Sequence, residues 1–135
     1  MSVPTIDDIE AGLPNGLHDS RLHTFSSDTE GRAEFVLDVC VGDLHSTVPA
    51  ERERYRRARL ELVGLGYLIV EEPDPRYEPF KKSPVQLDSC AADDDAERSR
   101  RVPQGGFAGR FFITDWNSFI HFAALEARLT WLDTN

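Results

Sequence analysis

The chain has 135 residues, with 15 Lys plus Arg against 24 Asp plus Glu, a formal net charge of −9. That length fits a single domain, 1–135, able to bury about two-thirds of its unfolded surface without staples. The acidic balance argues against nucleic-acid and anionic-membrane surfaces, which need a basic footprint.

The two cysteines, Cys40 and Cys90, are too few for a disulfide framework and match no zinc spacing. Cys40 sits in the apolar run FVLDVCV, where a thiol packs as a small hydrophobe. Cys90 lies beside acidic residues, an unfavourable setting for a thiolate. The opening MSVPTIDDIEAGLP has no cationic n-region and does not read as a signal peptide. The apolar stretch 62–70 is too short to cross a bilayer as a helix. The expected compartment is the cytoplasm.

Residues 1–16 read as a lead-in. A helical turn over 6–11 has Thr5 as its N-cap, and Pro14-Asn15-Gly16 is a turn signal. The text LHDSRLHTFSS, 17–27, reads as a strand. A turn over 28–31 follows, with Gly31 able to take positive φ. In AEFVLDVCV, Phe35, Leu37, Val39 and Val41 alternate with polar or smaller residues, the period of a half-buried strand. The pair predicts an antiparallel hairpin.

Residues 42–49 read as a loop, and the charged run ERERYRRAR, 51–59, as a solvated loop or the exposed start of a strand. Ala58, Leu60 and Leu62 point inward, after which Gly64-Leu65-Gly66 predicts a bulge with a change of phase. One bent strand or two short ones follow over 57–71. Prolines make 73–84 an extended loop, VQLDSC is a short strand, and the charged segment 91–105 is expected to be a mobile loop. Phe107 to Trp116 is β-rich, with a tight turn at 115–118. From Ala123 to Trp131 the alternation favours a strand over a helix. The fold class is therefore all-β: a curved antiparallel sheet, a sandwich or a partly open barrel of about six strands.

The segments LPNGLHDSRLHTFSSD (13–28), GLGYLIVEEPDPRY (64–77) and FFITDWNSFIHFAALEARLTWL (111–132) resemble small bacterial β-proteins that open with a Gly-Leu-His-Asp motif. The likeness fails over 81–105. Related domains include immunity proteins of polymorphic toxin systems. The resemblance implies a compact β-fold and brings no established activity.

No residue is assigned as catalytic: G-x-S-x-G and a phosphate loop are both missing from the text. Candidate binding residues are His18, Asp19, Asp115, Trp116 and His121. On a strand His18 and Asp19 point to opposite faces, so they would not share an ion. Their simpler role is to cap the turn after Asn15-Gly16. Asp115-Trp116-Asn117 suits a hairpin turn, and His121, among Phe119, Ile120 and Phe122, suits a partly buried, hydrogen-bonded ring. No metal set and no cofactor motif are read.

The leading expectation is a protein-binding module, immunity-like, whose acidity complements a basic partner. Tyr55, Arg76, Tyr77 and Phe80 are its candidate interface anchors. The alternative is a small-ligand or metal-dependent pocket formed by the five binding candidates. A two-fold homodimer covering a sheet edge is compatible with either.

Overall fold

The computed structural model describes residues 4–76 and 83–133. Helix α1 (Ile6–Ala11) is followed by β1 (Pro14–Leu17), β2 (Ser20–Ser27) and β3 (Arg32–Cys40). Helix α2 (Pro49–Arg52), β4 (Tyr55–Val63), β5 (Tyr67–Val70) and β6 (Val85–Ala91) come next. Helix α3 (Ala96–Ser99), β7 (Phe107–Ile113), a 3₁₀ turn (Thr114–Trp116), β8 (Ser118–Ala124) and β9 (Glu126–Trp131) complete the order. Among the described residues no helix is long and apolar enough to cross a membrane.

Eight strands form one antiparallel sheet in the order β5-β8-β7-β6-β2-β3-β4-β9. The all-β, curved-sheet expectation holds, with eight strands where the sequence suggested about six. The difference lies in two bends. Segment 55–70 is divided into β4 and β5, and segment 118–131 into β8 and β9. The two segments pair along both halves, β4 with β9 and β5 with β8. Regular pairing is interrupted at 64–66 opposite Leu125, where backbone hydrogen bonds still join the two segments. There Gly66 N–H donates to Ala123 O at 2.8 Å, and Leu125 N–H to Val63 O at 3.0 Å.

The phase change sits on the opposite segment from the one expected. Ala58, Leu60, Leu62 and Leu68 keep one parity and all face the core. Across the bend, Phe122 and Ala124 are buried on one parity and Ala127 on the other, while Leu125 turns out to solvent. Alternating small and large residues hide this slip, because Ala123, Ala124 and Ala127 are all fully buried. Gly66 has its own constraint: a Cβ there would sit 2.0 Å from Arg101 O, so only glycine lets segment 92–105 lie against β5.

Thr5 caps α1 through a capping box with Asp8. The expected strand 17–27 is cut in two, because Asp19 adopts φ 55° and turns the chain between β1 and β2. The β2–β3 hairpin forms as expected, with Asp28 Oδ1 accepting from the N–H groups of Glu30 and Arg32 at its tip. Inside the curve, Phe35 and Phe111 are fully buried, edge to face, 5.5 Å apart. Phe111 and Phe122 lie 4.7 Å apart. Burying each ring contributes roughly 1.5–3 kcal/mol, and these contacts hold the two halves of the sheet around one core.

Candidate functional site: the β3–β4 loop and its clefts

The longest described connection between consecutive strands without a strand of its own is 92–106; the next is the β3–β4 connection, 41–54. The latter is fixed in shape by its own turn chemistry. Val41 N–H donates to Arg54 O at 2.8 Å and Asp43 N–H to Glu51 O at 2.7 Å, a short ribbon beyond the sheet. Asp43 Oδ1 accepts from His45 N–H, and Ser46 Oγ accepts from Val48 N–H. Pro49 then opens α2, where its fixed φ suits a first helical turn. From outside the loop, Asn15 Nδ2 donates to Gly42 O at 2.8 Å and to Cys40 O at 3.2 Å. Gly42 packs so tightly that a Cβ would lie 2.1 Å from Arg52 O.

This rigid loop carries its apolar side chains outward. Leu44 is 42% exposed and Val48 47% exposed. Leu44 borders two clefts. One, of about 690 Å³, is lined by Asp19, Arg21, Arg52, Tyr55, Pro84 and Gln86 among others. The second, of about 570 Å³, includes Asn15, Asp43, His45 and Arg54. Sheet register assembles the first cleft. Arg21 pairs with Gln86 across β2 and β6, and Tyr55 pairs with Cys40 at the end of β3 and β4. The Arg21 guanidinium lies over the Tyr55 ring, 4.1 Å from its centre.

Of the five binding candidates, Asp19 lines the larger cleft. His18 is exposed beside it in sequence, its N–H donating to Asn15 O. The expected capping takes another form, with Asp19 N–H donating to Asp88 Oδ1 at 2.8 Å. Asp115 Oδ2 accepts from the N–H of Gln86, a residue that lines the cleft. Trp116 is buried and borders a separate apolar cleft of about 340 Å³ with Phe25 and Val85. His121 belongs to a different face. No hydrogen bond or ion pair among the described residues joins it to His18. Of the interface anchors, Tyr55 lines the larger cleft and Arg76 pairs with Asp74. Tyr77 and Phe80 lie outside the described residues.

Around His121 the sequence misses three partners. The ring is 3% exposed on the outer face of β8. Its Nε2 lies 2.6 Å from Glu71 Oε2 and its Nδ1 3.4 Å from Arg98 Nη1. Arginine can only donate, so that contact needs the lone pair on Nδ1 and puts the ring hydrogen on Nε2, toward Glu71. Arg98 also holds Asp93. Burial presses the Glu71 carboxyl upward. The hydrogen bonds from His121 and from the N–H of Phe119, with the charge of Arg98, outweigh it and hold the carboxyl below its ordinary range. Asp93 is lowered chiefly by Arg98. Burial raises the nearby Tyr67 phenol, which Arg98 opposes. The network ties segment 92–105 to the sheet through α3, with Asp93, Asp95 and Arg98, three of the charges that suggested a mobile loop, used in ion pairs. One signal for Glu71 existed: β5 pairs Ile69 with His121, which puts Glu71 just beyond, at the same edge.

Among the described residues no group of three His, Cys, Asp or Glu side chains could hold a metal ion. Comparison of the chain with protein-family models, with curated proteins and with solved structures gives no match.

Proposed function

We propose that the protein is a protein-binding module that meets its partner with the 41–54 loop and the adjoining larger cleft. The observation that carries this reading is an internally hydrogen-bonded loop presenting two large apolar side chains, Leu44 and Val48, to solvent. A loop already held in one shape loses little entropy on docking. Tyr55 and Arg52 beside it are residue types that dominate interface energies.

The net charge of −9 suits a basic partner, whose approach it would speed at low salt. Neutralisation of a basic toxin, as by an immunity protein, is the narrower form of this proposal. It is supported by that charge and by the resemblance of segments 13–28, 64–77 and 111–132. The alternative of a small-ligand or metal-dependent pocket has less support, because its five residues are spread over separate faces.

The test is affinity capture from host lysate with the wild-type chain and with Leu44→Asp/Val48→Asp, at low and high salt. The proposal expects one stoichiometric partner with the wild type, weakened by salt and lost with the variant. A partner retained equally by the variant would contradict it. Sedimentation of the bait alone reads self-association through the same face.

A further inference from the structure

The larger cleft contains cations that the fold leaves unused. Elsewhere Arg56, Arg57, Arg59 and Arg128 each hold a carboxylate at 3.0 Å or closer. In the cleft, Arg21 and Arg52 form no ion pair among the described residues, although the chain has an excess of acids; Arg54, Arg100, Arg101 and Arg110, outside it, form none either. The reason is visible for Arg21. Its neighbour across the ladder, Asp38, is taken by Arg57 at 2.6 Å and His23 at 2.7 Å. Arg21 stacks instead on Tyr55 and faces the cleft, as does Arg52. Asp19 and Glu53 line the same cleft without pairing to either guanidinium.

We propose that this cleft receives an acidic side chain of the partner, carried on an apolar segment. This inference rests on the protein-binding reading and names what the bound surface must offer. A guanidinium fork matches a carboxylate with two parallel hydrogen bonds. Stacking on Tyr55 holds Arg21 in place before the partner arrives, which lowers the ordering cost. A free small anion would leave most of the 690 Å³ cleft empty and Leu44 bare. An apolar segment beside the carboxylate fills both. Within an interface steered by acidity, two unpaired guanidinium groups favour, among basic partners, those that carry the matching carboxylate.

The test uses the whole chain with short fluorescent peptides in which leucine alternates with glutamate, glutamine or lysine. Inorganic phosphate is a fourth probe. Binding is followed by anisotropy and by the side-chain Nε–H resonances of Arg21 and Arg52. The glutamate peptide should saturate, move both resonances, and weaken about tenfold in Arg21→Gln/Arg52→Gln, a change of roughly 1.4 kcal/mol. All these positions are exposed, so the urea midpoint should stay at the wild-type value. Three results would overturn the inference: equal binding of the lysine or glutamine peptide, still resonances at millimolar glutamate peptide, or phosphate alone moving the arginines as strongly. Any of them leaves the lysate capture and its Leu44/Val48 variant to judge the protein-binding reading separately.

Discussion

The side-chain amide of Asn15 donates to Gly42 O at 2.8 Å, a contact across 27 residues of sequence that joins the first turn to the β3–β4 loop. The same nitrogen reaches Cys40 O at 3.2 Å, so one amide satisfies two carbonyls where β3 ends. Asn15→Ala leaves both without this donor and should cost about 1–2 kcal/mol. Urea unfolding checks the cost. Amide exchange should speed up in 41–54 more than in β3 or β4.

Gly42 gives a second, independent handle on the same loop. A methyl there would meet Arg52 O at 2.1 Å and Glu51 O at 2.7 Å, backbone atoms that cannot simply rotate away. Gly42→Ala should destabilise by about 1–3 kcal/mol, the usual range for overpacking. Backbone resonances should shift over 41–54 and stay fixed around Phe111. Uniform shifts across the sheet would mean that the loop is not the part that yields.

Acid stability should depend on Asp38. Burial presses its pKa upward, but hydrogen bonds from Arg57 and His23, with their charges, hold the carboxyl below its ordinary value. A carboxyl lowered in the folded state stabilises above its unfolded pKa of about 3.9. That contribution is lost as the pH falls through the lower folded value. Arg57 is about half exposed, so solvent screening limits the pair to about 1 kcal/mol. Asp38→Asn should therefore lower the urea midpoint at pH 7, and the gap from wild type should close below about pH 4. A gap that persists at pH 2.5 would assign the loss to packing.

The His121 network should act as a fastener for segment 92–105. His121→Ala removes a ring that is 3% exposed and strips Arg98 and Glu71 of a shared partner. The cost should be about 1–3 kcal/mol. Exchange should quicken in α3 and in β5, and lysate capture through the 41–54 loop should be unaffected.

The legible parts of this fold are local. Thr5 as an N-cap announces α1, and the period of two from Phe35 to Val41 announces β3, because both signals lie within a few residues. The phase slip at Leu125 is hidden because alanines on both parities are small enough to be buried. The site is less legible still. Tyr55 and Asp19 stand out singly in the sequence, but Arg21 meets Tyr55 only through the β2–β3–β4 register. Asn15 reads as a turn residue, and its second role on Gly42 has no sequence spacing to announce it. His121 reads as a partly buried, hydrogen-bonded ring and is in fact buried, while Glu71 emerges only once β5 is placed against β8.

The central claim is that the 41–54 loop and the larger cleft form the contact face. Hydrogen–deuterium exchange of the captured complex tests it most directly, with the free protein as reference. The account predicts protection over 41–54 and around Arg21 and Gln86, with 92–105 unchanged. Protection confined to 92–105, or to the outer face of β8 and β9, would contradict it.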